Sequence, residues 1–178
     1  MLISLIGYRG TGKTTVGSLL AERLGWTCID SDVQIEHDAG VSIRQIFESE
    51  GENGFRDRES NVILKLTRMH KIVLALGGGA ILRGENRKAI TVAGPTVWLS
   101  AEPEELYKRI SDDPATVENR PNLTADGGFQ EICNVLEERT PIYEQCADAK
   151  IQTDNKTPRQ VVDEIVERLD LSSQLNAI

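Results

Sequence analysis

The stretch Gly7-Tyr8-Arg9-Gly10-Thr11-Gly12-Lys13-Thr14 constrains this chain more than any other, because it fits G-x-x-x-x-G-K-[ST] and its flanks match. The apolar run Leu2-Ile3-Ser4-Leu5-Ile6 precedes it, and Val16, Leu19, Leu20 and Leu24 follow at helical spacing. The order is therefore strand, phosphate loop, helix. Glycines let the backbone turn its N–H groups inward around a polyphosphate, and the helix presents its positive end to the same anion. Lys13 is placed to reach the β and γ phosphates, and Thr14 to give its hydroxyl to Mg²⁺. The plainer reading, a glycine-rich turn that binds nothing, does not account for motif and context agreeing.

A length of 178 residues suits one domain with a substantial core, and with aromatic residues at only 4% that core must be built from aliphatic side chains. A parallel sheet covered by helices meets that need. The net charge of −8 repels nucleic acid and anionic membranes, so an anionic substrate has to be captured by local arginines. Cys28, Cys133 and Cys146 are widely separated and show no C-x-x-C spacing, which excludes a disulfide or zinc framework. Neither a secretory nor a membrane-spanning segment is visible, so a cytoplasmic location is expected.

After the first helix, Trp26-Thr27-Cys28-Ile29-Asp30 reads as a second strand ending in Asp30-Ser31-Asp32, where open α/β sheets bind ligands. In extended backbone the two aspartates would share a side, one serving Mg²⁺ and the other a substrate hydroxyl. The alternative is that Asp32 caps a helix beginning at Val33. Ser42-Ile43-Arg44-Gln45 has capping-box form, and the short helix it opens ends at Gly51. A longer amphipathic helix follows, with Arg56 and Glu59 near its start; taken alone, that pair is a surface ion pair of small worth. Lys71 to Leu76 is the most strand-like run, and it discharges into Gly77-Gly78-Gly79, which suggests close approach of a ligand to the backbone. Thr96 to Ser100 makes a fourth strand, with Ser100 near the cap of a helix that carries Arg109. From about Ser111 to Gly128 periodicity disappears, and this polar connection reads as a mobile lid holding Arg120-Pro121. Phe129, Ile132, Val135 and Leu136 mark a helix in which Pro141 is a kink or a break. A fifth strand, Ala149 to Thr153, leads to a last helix capped at Thr157-Pro158-Arg159-Gln160, and the tail from Ser172 frays. Five strands alternating with helices imply a three-layer α/β/α fold on a parallel sheet, the whole chain forming one domain.

The phosphate loop, Asp30-x-Asp32, Gly51-Glu52-x-x-Phe55-Arg56-x-x-Glu59, Gly77-Gly78-Gly79, Arg120-Pro121 and Glu138-Arg139-x-Pro141-x-Tyr143 occur in an order and spacing that resembles the shikimate kinases. The resemblance covers nearly the whole chain. It implies the P-loop kinase fold, a five-stranded sheet of order 2-3-1-4-5, a monomer, and ATP-dependent phosphorylation of the 3-hydroxyl of shikimate. By the same resemblance Gly10, Thr11, Gly12, Lys13, Thr14 and Thr15 hold the ATP phosphates, and Thr14 and Asp30 bind Mg²⁺. Asp32 meets the shikimate hydroxyls and is the candidate base, while Arg56 and Arg139 hold the carboxylate and Gly78 and Gly79 line the pocket. Arg120 meets the phosphates with the lid, and Arg109 and Pro158 flank the adenine. The sequence departs from the family in the lid, where Asn122 precedes Leu123 instead of a leucine.

Two rivals remain. Another small-molecule kinase of the same fold, for gluconate or a nucleoside monophosphate, would not require both Arg56 and Arg139. A GTP-dependent switch would need an Asn-Lys-x-Asp guanine reader, which Asn155-Lys156-Thr157-Pro158 is not. A nucleotide-binding module without catalysis would have no chemical need for Lys13, Asp32 and both arginines together.

Overall fold

The computed structural model describes residues 1–112 and 128–171. Five strands, β1 (Leu2–Ile6), β2 (Thr27–Asp30), β3 (Ile72–Ala75), β4 (Thr96–Ser100) and β5 (Ala149–Gln152), form one parallel sheet in the order β2-β3-β1-β4-β5. The described helices are α1 (Lys13–Leu24), α2 (Ser31–Ala39), α3 (Ile43–Leu66), α4 (Gly84–Ala93), α5 (Pro103–Ser111), α6 (Gly128–Cys146) and α7 (Pro158–Arg168).

Three layers follow from the two-residue repeat of strand side chains. Ile3, Leu5, Val73, Val97, Leu99 and Ile151 point to one face, where Val16, Leu20 and Leu24 of α1 and Val161, Val162, Ile165 and Val166 of α7 cover them. Leu2, Ile6, Ile72, Leu74 and Trp98 point to the other, against Ile35 of α2, Phe55, Val62 and Ile63 of α3, Ile90 of α4 and Tyr143 of α6. Both faces are buried, so β1 and β3 read as near-continuous apolar runs. A smaller cluster of Tyr8, Leu106, Ile132 and Val135 joins the phosphate loop to α5 and α6.

Local chemistry set most boundaries where the sequence placed them. Ser42 and Thr157 each form a capping box with a glutamine three residues on. Gly51, at φ 69°, interrupts the helical geometry of α3 and separates its two segments. Four expectations need correction. β2 stops at Asp30 and Ser31 already belongs to α2, so Asp30 and Asp32 do not share an extended run. The cap of α2 is Asp30, whose side chain accepts from the Asp32 and Val33 amides, and Asp32 sits in the first turn and is not the cap. α5 is capped at Glu102, not near Ser100. Of the two readings of Pro141 only the break is overturned, since α6 runs through it. No helix among the described residues is long and apolar enough to cross a membrane.

The order of the sheet makes β1 the centre, with chain crossing to β3 on one side and β4 on the other. The crevice at the carboxyl ends of these strands is where such a sheet holds ligands.

Candidate active site

The loop between β1 and α1 is shaped by three glycines in the left-handed half of φ space: Gly7 at 140°, Gly10 at 82° and Gly12 at 87°. A β-carbon on Gly7 would also run into the Leu99 carbonyl oxygen. Thr11 is buried and its hydroxyl donates to the Tyr8 carbonyl at 2.8 Å. Lys13 Nζ donates to the Gly7 and Tyr8 carbonyls, both at 2.8 Å, so its ammonium folds back along the loop that it serves. Thr14 and Thr15 open α1 on its exposed side.

Asp30 joins this loop to the next element. Its Oδ2 accepts from Thr14 Oγ1 at 2.7 Å, while its Oδ1 accepts from the Asp32 amide at 2.9 Å. Two hard oxygens thus stand together at the start of α1. Among the described residues no group of three or more His, Cys, Asp or Glu side chains could hold a metal. That donor set fits Mg²⁺, which takes one or two protein oxygens and fills its remaining positions with phosphate oxygens and water.

The second half of the site is built around Gly77-Gly78-Gly79. None of the three has a positive φ; they are glycine because of what lies against them. A β-carbon on Gly77 would stand 2.5 Å from Asp32 Oδ1, and one on Gly79 would stand 2.5 and 2.6 Å from the two terminal nitrogens of Arg56. The Gly78 carbonyl accepts from Arg139 Nη1 at 3.2 Å and from Tyr143 Oη at 2.7 Å, and the Gly77 amide donates to Ser31 Oγ at 3.0 Å. The triplet therefore gathers Asp32, Arg56 and Arg139, each buried to within 9% of full, on one wall.

Glu59 is not the surface partner expected of it. It is 1% exposed and accepts from Arg56 Nη1 at 2.7 Å, which fixes the guanidinium beside Gly79. Burial raises its pKa above the ordinary glutamate value, against the opposing pull of Arg56. Burial likewise pushes Tyr143 up to about 12, so its hydroxyl stays a donor to Gly78 at any working pH. The Nε atoms of Arg56 and Arg139 are buried with no hydrogen-bond partner among the described residues. The two guanidiniums thus keep donor capacity, which an anion would engage.

Arg109 donates to the Gly10 carbonyl at 3.3 Å and to Thr153 Oγ1 at 3.0 Å, linking the phosphate loop to the connection that runs from β5 to Pro158, the first residue of α7. Arg120, with most of the expected lid, lies outside the described residues. The sequence took Gly77 only as part of the triplet and Tyr143 only as part of a motif, with no contact assigned to either. Tyr143 is four residues after Arg139, the spacing that puts two side chains on one helix face, and that signal would have found it.

A parallel sheet of this order, with a phosphate loop after its central strand and an arginine-lined pocket beside it, defines a kinase of the P-loop fold. The shikimate kinase family model matches residues 9–170. A shikimate kinase of Rhodopirellula baltica is 43% identical over 162 residues, 91% of this chain and 87% of that protein. One of Symbiobacterium thermophilum is 43% identical over 169 residues, 95% and 96% of the two chains. The solved structure of a shikimate kinase from Acinetobacter baumannii in complex with shikimate superposes with a TM-score of 0.89 at 39% identity, over 98% of this chain and 95% of that one. The chain belongs to the shikimate kinase family.

Proposed function

We propose that the chain transfers the γ-phosphoryl group of ATP to the 3-hydroxyl of shikimate, giving shikimate 3-phosphate and ADP for aromatic amino acid synthesis. The observation that carries this reading is the convergence of Arg56, Arg139 and Asp32 on the glycine triplet, one buried carboxylate and two buried guanidiniums next to a phosphate loop. Two guanidiniums suit a planar carboxylate, which each can bind bidentately, and they overcome the repulsion of an acidic chain. Asp32 stands beside them with its carboxylate not used for capping, so it can orient the acceptor hydroxyl and take its proton. As the new O–P bond forms, the bond between the γ-phosphorus and the β,γ-bridging oxygen breaks and ADP leaves.

Phosphoryl transfer asks a protein for positioning and charge neutralisation more than for covalent chemistry. Gly10, Thr11, Gly12, Lys13, Thr14 and Thr15 take the phosphates in this reading, and Arg109 and Pro158 flank the adenine. Thr14 and Asp30 would hold Mg²⁺, which neutralises charge on the phosphates. Arg120 is assigned to the transferring group by the family resemblance. Following the family resemblance, the reading takes a cytoplasmic monomer as the active unit.

The test is ADP release by the purified protein with Mg-ATP and shikimate, gluconate, a nucleoside monophosphate or no acceptor. Strong dependence on shikimate, and a sharp rise in its KM in Arg56→Ala and Arg139→Ala, is the expected result. Turnover with a different acceptor, or unchanged shikimate kinetics in both variants, would remove the carboxylate assignment.

A further inference from the structure

Two reactants must be held at one spacing, and three contacts close a ring around them. The glycine triplet meets the phosphate loop: a β-carbon on Gly78 would stand 3.5 Å from the Gly7 carbonyl oxygen and 3.6 Å from the Arg9 amide nitrogen, so the two backbones are in contact. Helix α6 meets the triplet through Arg139 and Tyr143 on the Gly78 carbonyl. The third side returns from α6 to the loop, where Arg9 Nη2 donates to Glu131 Oε1 at 3.0 Å. Glu131 precedes Arg139 by eight residues, about 12 Å along the helix axis at its standard rise.

The setting of this pair is unusual for a charge. The Arg9 side chain is 12% exposed and that of Glu131 is 0%. Next to them Ile132 and Val135 pack on Tyr8 and Leu106 in the apolar layer under the loop. Desolvating two ions there offsets their attraction, and apolar residues of the same size would hold the layer together as well. What an ion pair adds is a direction: a hydrogen bond to one oxygen fixes where α6 stands relative to the loop, as packing alone does not.

We infer that Arg9 and Glu131 are a positioning pair that sets the distance between the phosphate loop and the Arg139 side of the acceptor pocket. The inference deepens the kinase reading and rests on it. Arg9 acts through Glu131, and neither is assigned a contact with substrate. Breaking the pair therefore disturbs the alignment of donor and acceptor while leaving the groups that bind each of them in place. The loss falls on kcat, with little change in either KM.

The experiment measures kcat, both KM values and the melting temperature for the wild type, Arg9→Met, Glu131→Leu, the double variant and Arg9→Lys. Each single apolar variant is expected to lose roughly 10- to 100-fold in kcat, the range a displacement near 1 Å produces. The double variant should fall by clearly less than the product of the two single losses, because both members serve the Arg9–Glu131 contact. Arg9→Lys, which keeps the charge and a donor, should recover most of the rate. Multiplying losses in the double variant, or a loss in Arg9→Met while Glu131→Leu keeps the wild-type kcat, would show Arg9 acting directly on phosphate and overturn the inference. Lower melting temperatures with wild-type kcat would reduce the pair to a structural one and also overturn it. If the leucine variant does not fold, Glu131→Gln replaces it, since it keeps the shape and removes the charge. A wild type that does not phosphorylate shikimate would instead defeat the kinase reading, which separates the two failures.

Discussion

Adding a single methyl group to each glycine of the triplet should separate binding from turnover. In Gly79→Ala the new β-carbon would sit 2.5, 2.6 and 2.8 Å from Arg56 Nη2, Nη1 and Cζ. Ordinary contact distances are about 3.5 Å, so the guanidinium must move by roughly 1 Å. It cannot do so freely, because Glu59 holds it at 2.7 Å and its side chain is only 10% exposed. A displaced guanidinium loses a charge-assisted hydrogen bond to the substrate carboxylate, worth about 1.5–3 kcal/mol, or roughly 10- to 150-fold in kcat/KM for shikimate. The carboxylate is remote from the reacting hydroxyl, so the loss should appear in KM. In Gly77→Ala the β-carbon would instead lie 2.5 Å from Asp32 Oδ1, and the loss should appear in kcat, about 100-fold for a misplaced base. A methyl on Gly78 would find nothing closer than 3.5 Å and should do the least harm. The assay is coupled ADP release at saturating ATP with varied shikimate, with melting curves to confirm folding. A folded Gly79→Ala enzyme whose shikimate KM stays within about twofold of wild type would refute the reasoning, since a moved guanidinium must weaken uniform binding. So would a triplet in which Gly78→Ala is the most damaging.

Asp32→Asn should lower kcat by about 10²- to 10⁴-fold while leaving ATP binding, followed by fluorescence titration, near wild type; wild-type turnover would end its role as base. Glu59 should make stability depend on pH in the direction opposite to most carboxylates. Its folded-state pKa lies above the ordinary value of 4.5, so its contribution is fully present below that value and declines as pH rises through the folded one. Melting curves of wild type and Glu59→Gln across this range should show the wild type losing ground to the variant as pH increases, and the reverse trend would contradict the burial argument. Tyr143→Phe removes the 2.7 Å hydrogen bond to the Gly78 carbonyl. Chemical denaturation should show a loss of about 1 kcal/mol, and shikimate KM should rise modestly as Arg139 loses its companion.

The sequence carried the phosphate loop, the alternation of strands with helices and both capping boxes, because each is written within a few neighbouring residues. The strand order was available only through the family resemblance. Nothing local says that β3 pairs with both β1 and β2. Helix α4 escaped notice because its buried residues are Asn86 and Ile90 alone, too few for a periodic stripe. Asp32 was expected in extended backbone or as a helix cap, but Asp30 takes the capping role and the helix starts two residues earlier, at Ser31 instead of Val33. The importance of Gly77 and the burial of Glu59 are tertiary facts: they depend on α2 and α3 lying against the end of β3. The Arg9–Glu131 contact spans 122 residues, with Arg9 at a variable position of the phosphate-loop motif and Glu131 in a helix whose pattern says nothing of it.

Asp30 has one oxygen on the Thr14 hydroxyl and the other on the Asp32 amide at 2.9 Å, with the Val33 amide 3.5 Å away. A single carboxylate thus joins the phosphate loop with one oxygen and caps α2 with the other. If Asp30 is drawn toward a cation on the phosphates, the strength of its cap changes with it, before any acceptor arrives. Hydrogen exchange at the Asp32 and Val33 amides would then report nucleotide occupancy through Asp30, which itself lies 16 residues along the chain from Thr14.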